Sequence, residues 1–130
     1  MTEQKLTKIL IIEDDPEVCN MYGAALRTAN PDYKVTQALS GAIGIKLALE
    51  KHPDLVILDL TLPDISGIMV AQKLWDMGIL PGAPLIVASG LGDDGQAAAL
   101  SLGAVAFLGK PFDSRTMVAA VENALGKSVV

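Results

Sequence analysis

The chain has 130 residues, a formal net charge of −5 and a pI near 4.6. Hydrophobic residues make up 51% of it and aromatic residues only 4%, which predicts one folded domain with an aliphatic core rather than a disordered chain. No apolar run reaches the roughly 18 residues of a transmembrane helix, and the polar N-terminus has no signal-peptide core. We therefore expect a cytoplasmic protein without membrane insertion. Because the chain is acidic and has no cluster of lysine and arginine, we also expect no direct binding to nucleic acid.

Short apolar runs alternate with longer segments of helical period along the whole chain. Residues 8–13 predict a strand, and a helix follows with Asp15 as a good N-cap and Pro16 as a good first residue. Residues 30–32 end that helix. Its predicted buried face, with apolar residues three and four positions apart, is Val18, Met21, Tyr22, Ala25, Leu26 and Ala29. The single cysteine, Cys19, is expected to be semi-buried on the same helix.

Four further strand–helix pairs follow. The predicted strands are 34–38, 55–58, 85–88 and 104–108, and the predicted helices are 40–51, 66–77, 94–101 and a last one capped by Asp113. The wholly apolar strand at 55–58 is typical of a central parallel strand covered on both faces. Five alternating pairs indicate an α/β fold, with an open parallel sheet and helices on both faces. In such sheets, ligands bind beyond the carboxyl ends of the strands.

Polar residues follow four of the five predicted strands. They are Glu13, Asp14 and Asp15 after the first strand, Asp59 after the third, Ser89 after the fourth and Lys110 after the fifth. Carboxylates at one edge repel one another unless a cation lies between them, and an oxygen-only set suits a hard ion such as Mg2+. A carboxylate such as Asp59 can attack phosphorus to give an acyl phosphate. Mg2+ and Lys110 can neutralise charge in that reaction, and the Ser89 hydroxyl can bond a phosphoryl oxygen.

Four segments, in this order and at this spacing, resemble the receiver domain of response regulators in two-component signalling. They are ILIIEDDPE at 9–17, PDLVILDLTLPDISG at 53–67, PLIVASG at 84–90 and GAVAFLGKPF at 103–112. The resemblance covers nearly the whole chain. It implies a flavodoxin-like (βα)5 sandwich whose five-stranded parallel sheet has the order 2-1-3-4-5. We expect a single receiver domain over residues 1–130, with its core at about 7–126 and no output domain, either as a stand-alone receiver or as a piece of a longer regulator or hybrid kinase.

The resemblance also implies the chemistry of the strand-end residues. Asp59 is implied to be the phosphoacceptor, with a sensor histidine kinase or a histidine phosphotransfer protein as donor. The implied Mg2+ ligands are Glu13, Asp14, Asp59 and the backbone carbonyl of Thr61, with Glu13 acting through water. The chain is then not an enzyme in the usual sense. It is a regulatory phosphoacceptor that catalyses its own phosphorylation and dephosphorylation.

A switch between two states is the remaining implication of the resemblance. Ser89 and Lys110 are implied to bind the phosphoryl group, Phe107 to turn as the aromatic residue of the switch, and the Lys110–Pro111 bond to be cis. The face of the fourth helix, fifth strand and fifth helix then changes shape for a downstream effector protein or domain. No charged residue occurs from position 95 to position 109. We expect a weakly polar surface, for a partner or a second copy, at Ala97, Ala98, Ala99, Leu100 and Leu102.

Three other functions stay open from the residues alone. A Mg2+-dependent aspartyl-phosphate hydrolase of the haloacid dehalogenase type also uses a strand-end aspartate. That class needs a second acid two residues later, where this chain has Thr61. A degenerate receiver binds its partner without phosphorylation, which the intact set of acids, Ser89 and Lys110 disfavours. A flavodoxin-like cofactor carrier needs a phosphate loop after the first strand, where this chain has acids.

Overall fold

The computed structural model describes residues 6–126, in which five strands alternate with five helices. The elements are β1 (Thr7–Ile12), α1 (Pro16–Ala29), β2 (Tyr33–Ala38), α2 (Gly41–Lys51), β3 (Leu55–Asp59), α3 (Gly67–Asp76), β4 (Leu85–Ser89), α4 (Asp93–Ser101), β5 (Ala106–Gly109) and α5 (Ser114–Ala124). The strands form one parallel sheet in the order β2-β1-β3-β4-β5. The α/β fold and the strand order are therefore confirmed. Over residues 6–126, every helix is too short or too polar to span a membrane.

Alternate residues of β3 serve two separate cores, one on each face of the sheet. Val56 and Leu58 pack with side chains from α2, α3 and α4, whereas Leu55 and Ile57 pack with side chains from α1 and α5. All residues of β3 and β4 are buried, as expected for strands covered on both sides. Since every strand is parallel, all carboxyl ends lie along one edge of the sheet, and that edge is where the predicted site belongs.

The first turns of most helices are fixed by the caps that the sequence predicts. Asp15 accepts hydrogen bonds from the backbone amides of α1, and Pro16 is the first residue of that helix. Ser40 and Ser66 each accept an amide hydrogen bond at 3.2 Å, at the starts of α2 and α3. Asp113 does the same at 2.8 Å for α5. These bonds satisfy amides that have no partner inside the helix.

The predicted buried face of α1 was wrong at Met21 and Ala29, which are both exposed, and the separate prediction for Cys19 was also wrong. Met21 is 53% exposed, and Cys19 is fully buried rather than semi-buried. The observed buried stripe is Cys19, Tyr22, Gly23 and Leu26. Both stripes have helical period, so periodicity alone did not separate them. The small Cys19 and Gly23 let α1 lie close to the sheet, and the Cys19 thiol donates to the Glu13 carbonyl at 3.3 Å.

The fourth helix differs from its prediction in its start and in its surface. It begins at Asp93, after Gly92 with φ of 62°, and no side chain caps it. Ala99 and Leu102 of the predicted exposed set are buried against the sheet, whereas Leu100 is 75% exposed. Helical geometry explains this split, because residues three positions apart face the same side of a helix. Strand β5 likewise begins at Ala106, two residues later than predicted.

The only tryptophan links α3 to the turn that follows α4. The Nε1 group of Trp75 donates to the Leu102 carbonyl at 2.8 Å. Its ring lies over Gly103, where φ is 74° and a Cβ atom would come within 3.0 Å of the indole. The side chain is still 40% exposed, so the indole closes this turn from the solvent side.

Candidate functional site

Three carboxylates converge beyond the carboxyl ends of β1 and β3. Glu13, Asp14 and Asp59 each offer an oxygen, and these oxygens all lie within 4.8 Å of one another. Strand pairing explains the convergence: Ile12 is the partner of Leu58, so the residues that follow them, Glu13 and Asp59, lie side by side. Glu13 is 3% exposed and Asp59 is 6% exposed, while Asp14 is on the surface. The acids predicted from the strand ends therefore form one cluster with an open side.

Lys110 supplies the positive charge that this cluster needs. Its Nζ atom lies 2.5 Å from Glu13 Oε1 and 3.0 Å from Asp59 Oδ2. Burial on its own would lower the pKa of Lys110, but the hydrogen bonds and charges of the two acids outweigh burial and raise that pKa. The ammonium therefore stays charged. The Lys110–Pro111 peptide bond is cis, as the resemblance implies, and Leu80–Pro81 is a second cis bond that was not predicted.

Glu13 is a buried carboxylate that lies beside two other acids. Burial raises its pKa, and the bonds to Lys110 and to the backbone amide of Asp15 lower that pKa by less. Asp59 adds further repulsion. A buried carboxylate in this position is stabilised by a second cation, and carboxylate oxygens are the ligands that Mg2+ prefers. The donor set of the cluster therefore fits a hard divalent ion.

The two oxygens of Asp59 have separate partners. Oδ1 accepts a hydrogen bond from the Thr61 amide at 2.9 Å, and Oδ2 accepts one from Lys110. Behind Asp59, the Gly67 amide donates to the Leu60 carbonyl at 2.9 Å. A Cβ atom on Gly67 would overlap the Asp59 carbonyl oxygen and come within 2.5 Å of Leu60 Cα. Glycine at the start of α3 thus lets the helix close directly onto the end of β3.

Ser89 lies next to the cluster but is bonded elsewhere. It follows Ala88, which is the pairing partner of Asp59 in the β3–β4 ladder. The side chain is fully buried, and its Oγ atom accepts a hydrogen bond from the Leu91 amide at 3.0 Å. Within residues 6–126, the structure therefore places the hydroxyl beside the acids and engages it with the loop before α4.

Phe107 and Ser89 border the same small space at the start of α4. A Cβ atom on Gly95 would come within 3.0 Å of Ser89 Oγ and 3.2 Å of the Phe107 ring. Phe107 is half-buried, between the sheet and the surface made by α4 and α5. The predicted aromatic residue thus lies close to the Ser89 hydroxyl.

The Cys19 thiol and the Tyr22 phenol are two further polar groups whose charged forms are disfavoured. Burial raises the pKa of the Cys19 thiol to about 11 and the pKa of the Tyr22 phenol to about 12. Both groups therefore stay neutral near neutral pH. Tyr22 instead stacks on Phe112, with ring centroids 5.4 Å apart.

The sequence analysis missed one acid near the site, Asp64. Its carboxylate accepts hydrogen bonds from the backbone amides of Gly41 and Ala42, each at 2.9 Å. The only local signal was an acid in the loop after Asp59. Its partners lie 22 and 23 residues earlier in the chain, and no periodicity points to them.

Known proteins resemble this chain along almost its full length. The family described as the response regulator receiver domain matches residues 9–122. The chain is 35% identical over 124 residues to the DNA-binding dual master transcriptional regulator RpaA of Synechocystis sp.. It is 36% identical over 124 residues to the transcriptional regulatory protein KdpE of Mycobacterium tuberculosis. Both alignments cover 95% of this chain but 51% and 53% of those relatives, so the chain spans about half their length.

A solved structure gives the same result for the fold. A response regulator receiver domain protein from Clostridium thermocellum superposes with a TM-score of 0.83 at 27% identity, over 94% of this chain and 96% of that one. The expectation that this chain does not itself bind nucleic acid finds no support in these comparisons, because RpaA is DNA-binding and KdpE is a transcriptional regulator. That expectation stays a prediction.

Proposed function

The chain belongs to the response regulator receiver family, and from that premise we propose that it is a signalling switch that takes a phosphoryl group on Asp59. Phosphorylation-dependent signalling is the general function of this family. The observation that carries the proposal is the cluster of Glu13, Asp14 and Asp59, in which Lys110 binds two of the three acids. We propose a receiver domain over about residues 7–126, at work in the cytoplasm.

The cluster also supports a place for Mg2+. Glu13, Asp14, Asp59 and the Thr61 carbonyl would hold the ion, with Glu13 acting through water. When bound, Mg2+ neutralises charge on the phosphoryl oxygens during transfer. The support lies in the oxygen-only donor set, whose atoms all lie within 4.8 Å of one another, and in the burial of the Glu13 carboxylate.

Asp59 is the nucleophile of the proposed transfer. One of its carboxylate oxygens forms a bond to phosphorus as the bond from phosphorus to the donor's histidine nitrogen breaks, and that electron pair stays on the imidazole. The donor is a sensor histidine kinase or a histidine phosphotransfer protein. The Thr61 amide and Lys110 hold the two oxygens of Asp59 before the reaction, so the carboxylate is already oriented. Lys110 then stabilises the charge on the transferred group.

Ser89 and Phe107 carry the proposed switch. The Ser89 hydroxyl would donate a hydrogen bond to a phosphoryl oxygen, and because its Oγ atom also accepts the Leu91 amide, this movement would draw in the loop before α4. Phe107, whose ring lies beside Gly95, would turn into the space that this movement leaves. An effector protein or domain would bind the α4–β5–α5 surface. A cavity of about 550 Å³ opens in that surface beside Phe107. A second copy of the chain is one candidate for that partner.

Intact mass after incubation with acetyl phosphate and Mg2+ tests the proposal. We expect one added phosphoryl group in the wild-type chain, none in Asp59→Asn, and none when Mg2+ is chelated. Asp76→Asn is the matched control, since Asp76 is exposed at the end of α3 and is expected to label normally. Inorganic phosphate release without an adduct would indicate a short-lived acyl phosphate. Absence of both adduct and release would reject Asp59 as the phosphoacceptor and favour a degenerate receiver.

A further inference from the structure

The loop that joins β3 to α3, residues 61–66, is closed at its base. The Gly67 amide donates to the Leu60 carbonyl across the loop at 2.9 Å. Glycine at position 67 allows this close approach, because a Cβ atom there would overlap the backbone of Asp59 and Leu60. The two ends of the loop are therefore in contact, and the conformation of the backbone between them depends on how its tip is held.

The tip is held by Asp64. Its Oδ1 atom accepts a hydrogen bond from the Gly41 amide and its Oδ2 atom accepts one from the Ala42 amide, both at 2.9 Å. These donors are first-turn amides of α2, which have no partner inside the helix. The same bonds lower the pKa of Asp64, so the carboxylate is charged at neutral pH. One side chain thus ties the loop to a helix that begins more than twenty residues earlier.

An apolar contact supports the same attachment. A Cβ atom on Gly41 would come within 2.5 Å of the Ile65 side chain and 2.9 Å of Val70. Ile65 therefore fills the space that a side chain at position 41 would need. The loop tip is fixed to the start of α2 by two adjacent residues, one through charge-assisted hydrogen bonds and the other through packing.

The start of α2 is itself connected to the acidic cluster. The Glu13 amide donates to the carbonyl of Ala38, the last residue of β2, at 3.0 Å. Ser40 then caps α2 two residues later. A short stretch of backbone, residues 38–42, is thus bonded to Glu13 at one end and to Asp64 at the other. Through it, the loop that carries Thr61 is held in register with the strand that carries Glu13.

We infer that Asp64 is a positioning residue for the metal site, which fixes the Thr61 carbonyl relative to Glu13 and Asp59. This inference rests on the proposed function, in which that carbonyl is a metal ligand. In this inference the Asp64 carboxylate takes no part in the chemistry and acts only by holding the Gly41 and Ala42 amides. Groups that orient a ligand in this way strengthen metal binding without touching the metal.

Mg2+ binding to the unphosphorylated chain tests the inference, by NMR titration or calorimetry alongside urea unfolding. We expect Asp64→Ala to weaken Mg2+ binding by about 10-fold. Asp64→Asn keeps one acceptor oxygen and is expected to weaken it by less. The matched control is Asp54→Ala, at the opposite end of β3, where the carboxylate accepts the Lys8 amide at 2.8 Å. Its Mg2+ affinity is expected to stay at the wild-type value even where its stability falls.

Hydrogen exchange of the amides from Thr61 to Ile65 gives a second readout. Asp64→Ala is expected to speed exchange in this loop, and Asp54→Ala is not. If Asp64→Ala lost stability and yet bound Mg2+ like the wild-type chain, Asp64 would be a structural cap only and the inference would be overturned. A wild-type chain that still formed the adduct at Asp59 would leave the proposed function standing in that case. A wild-type chain with neither Mg2+ binding nor adduct would overturn both.

Discussion

Helices α3 and α4 pack on the same face of the sheet but are attached to it very differently. Helix α3 has a serine cap and buries Gly67, Val70, Ala71 and Leu74. Helix α4 has no side-chain cap, follows a glycine with φ of 62° and buries only Gly95 and Ala99. The first helix is fixed by packing, its cap and a backbone contact, whereas the second is held mainly by small residues.

The difference matches the proposed roles of the strands that precede the two helices. Helix α3 follows the strand that ends in Asp59, where transfer needs fixed geometry. Helix α4 follows the strand that ends in Ser89, where the response needs movement. Elements that move in a switch come from the weakly packed part of a fold. The proposed phosphoacceptor, Asp59, thus lies beside the more firmly packed helix α3. The proposed effector surface includes the less firmly packed helix α4.

Leucine truncation is expected to give the largest contrast between the two helices. Leu74 of α3 is fully buried, so Leu74→Ala should lower the free energy of unfolding by about 2–5 kcal/mol through the cavity it leaves. Leu100 of α4 projects into solvent, and Leu100→Ala should change the free energy of unfolding by less than about 0.5 kcal/mol. Urea unfolding of both variants measures this. Equal losses would mean that α4 is packed as firmly as α3.

A pair of glycine substitutions tests the helix starts. Gly67→Ala places a Cβ atom against the backbone of Asp59 and Leu60, and we expect it to cost about 1–3 kcal/mol by overpacking. Gly95→Ala meets side chains rather than backbone, namely those of Ser89, Phe107 and Leu91. The better helix propensity of alanine, about 1 kcal/mol, offsets that crowding. Thermal unfolding compares the two, and a cost at position 95 as large as that at position 67 would contradict the comparison.

Loss of the cap on α3 is expected to have a smaller effect. Ser66→Ala removes the hydrogen bond from the Met69 amide and should destabilise the chain by about 1 kcal/mol. Hydrogen exchange should then rise in the first turn of α3 toward the level of α4, which has no cap to lose. If the first turn of α4 were already the better protected of the two in the wild-type chain, the ranking of the helices would be reversed.

The cap of α5, Asp113, is titratable, so its contribution to stability depends on pH. We expect this to be the smallest of the four effects. Hydrogen bonds from the Thr116 amide and hydroxyl lower the pKa of Asp113 below its ordinary value of 3.8. The stability gained from the charged cap is therefore complete above that value and is lost as the pH falls through the lower folded pKa. Asp113→Asn removes this dependence. The difference between the two chains in urea should shrink on acidification, and a constant difference would contradict the cap's role.

The sequence predicted the helix starts and the strand-end cluster well, because both depend on local signals. Asp15, Ser40 and Asp113 cap helices as predicted, and Ser66 caps the helix whose start was predicted at 66 or 67, since a cap bonds amides within three residues of itself. Asp59 meets the acids of β1 because parallel strands end at one edge. The predicted metal and phosphoryl roles of these residues stay predictions.

Features that depend on distant partners escaped the sequence. Which face of α1 is buried depends on whether Cys19 or Met21 fits against the sheet. The sequence could not decide this, because both alternatives have helical period. The partition of α4, with Ala99 inside and Leu100 outside, depended on where the uncapped helix begins. Asp64 escaped for the same reason, because its two bonds reach back to α2.

The position of Trp75 gives the chain a built-in optical probe. Its indole spans the boundary between the two helices, since it is carried by α3 and donates to the carbonyl of Leu102 just after α4. Indole emission depends on that hydrogen bond and on solvent exposure, and the chain contains no second tryptophan. Any displacement of the end of α4 should therefore change the fluorescence spectrum directly. Movement of the looser helix can be followed in real time, in unlabelled protein and in dilute solution.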